Sequence, residues 1–196
     1  MDMEMRENFS VMEMILYLKS SFPEHFHFLK GNHENIRNES ERGNYAFGKF
    51  VNEGAMVRSY VASFIGEDFL SEYGEFEHSL PLLAVGNGFL ASHAEPEDFY
   101  PEESVINYRE HPDVVYGLTW TGNDEAKPGS VAKMISHYLK PSSQGRYFGG
   151  HRPVDGLFAL RAEGRYIQIN NPSRFVIGWI PVSGDIEPEK TVQAIR

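Results

Sequence analysis

Apolar side chains at Phe9, Met12, Ile15, Leu16 and Leu18 recur at close to helical spacing. They predict a helix over residues 9–21 that Pro23 ends. Residues 25–29 alternate instead, with Phe26 and Phe28 set against His25 and His27. That period predicts a half-buried strand with the two imidazoles on its solvent face. Residues 36–43 are polar and read as a loop. Asn44 is positioned to cap a long helix to about Phe64, with Phe47, Phe50, Val51, Val57, Tyr60, Val61 and Phe64 as its apolar face. Gly66 breaks that helix, and residues 67–77 read as another. Its Phe69, Tyr73 and Phe76 are core aromatics rather than a base-stacking platform, because acidic residues are interleaved with them.

Further on, residues 82–85 and 89–91 flank Gly86-Asn87-Gly88, a strong hairpin signal. A short helix is expected after Pro101, over residues 101–110. Residues 114–120 form an apolar run ending near the sheet, and residues 122–129 a loop. Val131, Met134, Ile135 and Leu139 form one stripe, predicting a helix over residues 130–139. A turn at residues 141–145 leads into Tyr147-Phe148. Residues 157–161, 165–169 and 174–180 read as a run of antiparallel strands, the first two separated by a turn at Glu163-Gly164. From Pro181 the chain is polar, predicting a loose tail. Helix–strand units followed by strands favour an α/β sandwich over a purely parallel sheet. The expected division is one domain over residues 1–182 and a tail over residues 183–196.

Composition narrows the function classes. With 196 residues, 41% hydrophobic and 13% aromatic, the chain can bury a sizeable core. A net charge of −10 disfavours nucleic acid or an anionic membrane as the main partner. Without cysteine there is neither a disulfide framework nor a thiolate metal site. No signal-peptide pattern occurs, and no apolar run approaches the ~20 residues of a membrane span. The chain therefore reads as soluble and cytoplasmic.

Three apolar segments end in Asn or His. They are Phe26-His27-Phe28-Leu29-Lys30-Gly31-Asn32-His33-Glu34, Leu90-Ala91-Ser92-His93 and Tyr147-Phe148-Gly149-Gly150-His151. Amide oxygens and imidazoles are ligands for divalent cations, and strand ends are where open α/β sheets bind ligands. Two readings stand for the first segment: a metal-ligating turn, or a helix start capped by Asn32 with His33 exposed. The recurrence of the pattern favours a shared metal site.

Taken in order, Gly31-Asn32-His33-Glu34, Ser92-His93 and Gly150-His151 resemble the motifs of the calcineurin-like metallophosphoesterases, and most closely the serine/threonine protein phosphatase type. Phe22-Pro23-Glu24, Gly117-Leu118-Thr119-Trp120-Thr121 and Asn170-Asn171-Pro172 add to the resemblance, which covers about residues 9–180. It implies an α/β/β/α sandwich of two mixed sheets, here with the N-terminal strands missing. It also implies a phosphatase that hydrolyses phosphoesters at two divalent metals bridged by a carboxylate and a hydroxide. Carried over, Asn32, His93 and His151 would ligate one metal, His33 would be the general acid, and Glu34 would hold the turn. Arg152 and Arg37 are phosphate-binding candidates without a matching family position. The metal would be Mn, Fe, Zn or Ni, and the substrate a phosphorylated protein, nucleotide or small molecule.

The two earlier family motifs, Gly-Asp-x-His-Gly and Gly-Asp-x-x-Asp-Arg-Gly, do not occur. Asp2 and Arg6 lie near the second but are wrongly spaced. Those motifs would supply the first metal site and its bridging Asp. Two divalent ions about 4 Å apart repel by about 4 kcal/mol even in water. Asn32, His93 and His151 are all neutral, so at most one weak metal site is expected. Either the chain is part of a longer phosphatase, the favoured reading, or it is a short form without catalysis. Such a form would be a phosphatase-like scaffold that binds a partner.

Overall fold

The computed structural model describes residues 2–139 and 145–195; of Asp2, only the backbone is described. Most of the turn expected at residues 141–145 thus lies outside the described residues, as does the Asp2 side chain.

Helix α1 (Asp2–Ser21) begins seven residues earlier than the apolar spacing predicts. Met, Glu and Arg are good helix formers, so the polar stretch before Phe9 continues the helix. It buries Met5. At its end Lys19 donates to the carbonyls of Pro23 and Phe26, at 2.8 and 3.1 Å, satisfying oxygens of the turn that follows. Residues 26–30 have no regular secondary structure, but Phe26 and Phe28 are half-buried and His25 and His27 exposed, as the alternation predicts. They are not a sheet strand, however. Among the described residues, their one backbone bond to a distant segment runs from the Lys30 N–H to the Pro81 carbonyl, 2.9 Å. Among the described residues no neighbouring strand pairs with this segment.

The long helix expected after Asn44 is also shorter. Helix α2 spans Glu53–Phe64, and residues 44–52 are loop. The Glu53 carboxylate collects the N–H groups of Lys49, Phe50 and Val51 at 2.7, 3.0 and 3.4 Å. A helix through this stretch would have to break those bonds. Gly66, at φ +126°, then turns the chain into α3 (Glu67–Ser79). Val61, Leu70 and Tyr73 pack with Met5 and Ile36 as a helical core.

Strands β1 (Ala84–Gly86) and β2 (Phe89–Ala91) form the expected hairpin. The chain then runs through α4 (Glu102–Ile106), a 3-10 turn, α5 (Pro112–Thr119) and α6 (Ser130–Tyr138) to β3 (Arg146–Gly149). The apolar run at residues 114–120 is thus mostly α5. Strand β3 lies parallel to β2, the relation that a helical crossover permits. Strands β4 (Ala159–Arg161) and β5 (Tyr166–Gln168) are antiparallel, as expected, but β5 also lies parallel to β3. The result is a five-stranded mixed sheet in the order β1-β2-β3-β5-β4.

Strand β6 (Val176–Gly178) does not continue the run. It pairs with β7 (Val192–Ala194), which follows the short helix α7 (Pro188–Thr191). The looseness expected beyond Pro181 therefore gives way to an ordered segment, because Ile186 and Val192 bury against the sheet. Period-two alternation sets the layers. Leu90, Tyr147 and Tyr166 face α5 and α6 through Leu118, Val131 and Met134. Phe148 and Ile167 face the two-stranded sheet. The fold is mixed α/β, with helices on one face of the large sheet and the small sheet on the other.

Candidate functional site

Three chain segments meet where β2 and β3 end side by side. The first is the turn at residues 31–36. Its Gly31 N–H donates to the Glu34 carboxylate at 2.6 Å, and its Ile36 N–H to the Glu77 carboxylate of α3 at 2.7 Å. The buried Lys30 ammonium donates to the Glu34 carbonyl. Position 31 has to be glycine: a Cβ there would lie 2.7 Å from Glu34 Oε2 and 2.8 Å from His93 Nδ1. The turn holds Asn32 buried and leaves His33 exposed.

The second segment leaves β2 at Ser92, whose hydroxyl meets that of Tyr147 at 2.8 Å. His93 follows, and its carbonyl accepts the Gly150 N–H at 2.8 Å, tying it to the third segment. There His151 sits at φ +55°, a left-handed conformation costly for a residue with a Cβ. Asn170 Nδ2 holds the His151 carbonyl at 3.1 Å, and Gln168 Nε2 holds that of Arg152 at 2.6 Å. Backbone outliers of this kind cluster at functional sites.

His93 Nε2 lies 2.8 Å from Asn32 Oδ1 and 3.2 Å from His151 Nδ1. Burial above all, with His151 and His33 nearby, pushes the His93 imidazole down to about 4. Burial also lowers His151, with the Arg152 guanidinium adding to the effect. Both rings are therefore neutral near pH 7. With Asn32 Oδ1 facing the ring, a single proton on His93 Nε2 can be shared by Asn32 Oδ1 and His151 Nδ1. The proton of His151 then rests on Nε2, which is buried without a hydrogen-bond partner. A cation among these atoms would take all three lone pairs. Donors about 2.1 Å from an ion sit about 3 Å apart at adjacent coordination positions, so the spacing fits one ion. Among the described residues, no group of three or more His, Asp or Glu could hold a metal; the cluster is two imidazoles and an amide.

The cluster opens into a cavity of about 970 Å³. His33 lines it, its ring stacked on Phe47 at 4.5 Å and 16°. Arg152, Trp120 and Asn170 line it too. Arg37 does not. It is drawn to α3, where Glu75 lies 2.9 Å and Glu39 3.7 Å from its guanidinium, so its charge is already balanced. Sequence reasoning missed the wall built by Phe47, Phe50 and Val51, assigning these residues to a helix face. Gly48 and the Asn52-Glu53 helix start were the signals against that assignment.

This mixed α/β fold is similar to that of a solved phosphatase. A solved structure of a serine/threonine phosphatase from Saccharomyces cerevisiae, described as similar to human phosphatase PP5, superposes with a TM-score of 0.55 at 15% identity. The match covers 82% of this chain and 52% of that one, so this chain spans about half the length of its neighbour. No protein-family pattern and no curated protein matches the sequence. Among the described residues, no helix is long and apolar enough to cross a membrane.

Proposed function

We propose that the chain carries a phosphoester-hydrolase site in which Asn32, His93 and His151 hold one divalent cation, Mn, Fe, Zn or Ni. One observation carries the reading: an amide oxygen and two imidazole nitrogens from distant segments converge with spacings of 2.8 and 3.2 Å. The likeness of the fold to a phosphatase supports it. When bound, the cation polarises a phosphoryl oxygen. Arg152, exposed at the cavity, pairs with the phosphate oxygens, and the five donors of a guanidinium suit that task. His33, free of the cluster and facing the same cavity, hands a proton to the leaving oxygen. Glu34 stays out of the reaction, since its carboxylate is occupied by the Gly31 N–H.

A second reading, a phosphatase-like scaffold without turnover, draws on the uncharged ligand set, which offers a cation no countercharge. Calorimetry with Mn²⁺ and Mn²⁺-stimulated hydrolysis of p-nitrophenyl phosphate, on wild type and His151→Ala, separate the two. The hydrolase reading expects metal uptake and hydrolysis in the wild type and neither in the variant. Equal rates in both rule out the site, and metal uptake without hydrolysis leaves the scaffold.

A further inference from the structure

We propose that this site selects aryl phosphates, esters in which the phosphate is carried on a phenolic oxygen; the inference rests on the phosphoester reading above. Phe50 is 86% exposed, Val51 57% and Met56 46%, and all three line the same cavity as His33 and Arg152. Single exposed apolar residues are ordinary, but a contiguous group along one cavity wall marks a binding surface. The wall is also held in place. The Glu53 carboxylate fixes the N–H groups of Lys49, Phe50 and Val51, and the Gly54 N–H bonds the Phe47 carbonyl at 3.0 Å. Lys49 Nζ sits 5.3 Å from the centre of the Phe50 ring.

Charge and geometry together single out the occupant. The cationic groups at the cavity, Arg152 and Lys49, suit a single phosphate, while Glu4, Glu34 and Glu53 also line it and the chain's net charge of −10 repels polyphosphates. His33 stacks on Phe47, so an ester oxygen within reach of His33 carries its organic group onto this aromatic wall. Flat rings pack against aromatic faces better than flexible alkyl chains do.

The weakness of the site points the same way. A phenol has a pKa of about 10, whereas an aliphatic alcohol, close to water, lies far above that. With a neutral ligand set, the ester that needs least help to release its oxygen is the one turned over. In the step, the oxygen of water forms a bond to phosphorus as the bond from phosphorus to the phenolic oxygen breaks. The bonding pair leaves on that oxygen, which takes a proton from His33. The proton released by water restores His33, and the products are a phenol and inorganic phosphate.

Phenylphosphonate and methylphosphonate, which resist hydrolysis, test the wall by calorimetry with and without Mn²⁺. The phenyl compound is expected to bind roughly tenfold more tightly. Phe50→Ser abolishes that preference while leaving methylphosphonate unchanged. Equal binding of the two compounds, no binding of either, or equal loss for both in Phe50→Ser overturns the proposal. Phenyl phosphate and cyclohexyl phosphate test the chemistry, with phenyl phosphate the better substrate. A phenyl preference in binding without turnover of any ester keeps the aryl wall and rejects the hydrolase reading. A phosphotyrosyl peptide that competes better than phenylphosphonate identifies a protein source; equal competition identifies small aryl esters.

Discussion

Glu77→Gln should change how the protein's stability depends on pH. Glu77 is 5% exposed on α3, and its carboxylate accepts the Ile36 N–H that anchors the Asn32 turn. Burial pushes its pKa up to about 8, against the pull of that hydrogen bond and of Lys30. The folded chain therefore keeps this proton to about pH 8, while the unfolded chain releases it near the ordinary 4.5. Unfolding releases a proton throughout that window, so this group's contribution is full below pH 4.5 and is lost as pH rises to 8. At about 1.4 kcal/mol per unit, the shift is worth at most about 5 kcal/mol. Glutamine keeps the acceptor for Ile36 and has no proton to lose, so the variant lacks this slope. At high pH it also leaves the Lys30 ammonium without its countercharge, which offsets part of the gain; about 2–3 kcal/mol should remain. Urea denaturation of both proteins from pH 4.5 to 8.5 measures the difference. His93 contributes the opposite slope, with stability lost as pH falls from 6.5 toward 4, but it is common to both proteins and cancels. A difference between the two that stays constant across the range would refute the reasoning.

Three other perturbations address the same region. Gly31→Ala drives a methyl group into Glu34 and His93; a loss of about 1–3 kcal/mol in denaturation and weaker Mn²⁺ uptake are expected, and wild-type values for both would contradict the contact. Asn32→Asp adds a charge to a neutral ligand set and should tighten Mn²⁺ binding by about tenfold or more in calorimetry; unchanged affinity would remove Asn32 from the set. Glu53→Gln weakens the carboxylate that three N–H groups hold near a pKa of about 2, so trypsin should cut after Lys49 faster than in wild type while α2 keeps its helical signal.

Local periodicity made much of the fold legible. The α6 stripe at Val131, Met134, Ile135 and Leu139 is buried as a unit, and the alternation of Tyr147 and Phe148 faces two different cores. Features that depend on side-chain contacts rather than on periodicity were harder to read. Phe47, Phe50 and Val51 have spacings a helix could use, and the Glu53 carboxylate, collecting three backbone donors, holds them instead as a loop that Gly48 only hints at. The residues after Pro181 look polar, and Ile186 and Val192 are too sparse to announce a packed edge. Asn32, His93 and His151 were legible because each follows an apolar segment, and the chain brings them together. The role of Arg37 was not, because nothing local reveals that Glu75 and Glu39 flank it.

Lys30 and Glu77 belong to the same lesson, and they bear on the site's chemistry. Both are charged residue types that composition assigns to the surface, yet they are 2% and 5% exposed behind the Asn32 turn. Burial moves both toward their neutral forms, Lys30 downward and Glu77 upward, and it lowers His93 and His151 on the other side of the turn. Burial thus works against charge on both sides of Asn32. On the proposed reading, affinity for a cation depends on lone pairs and their spacing, because none of Asn32, His93 and His151 carries a formal negative charge. It also follows that charge at this centre has to come with the substrate. A phosphate dianion beside Arg152 supplies the negative field that the ligands lack, so metal and phosphoester should bind cooperatively rather than independently.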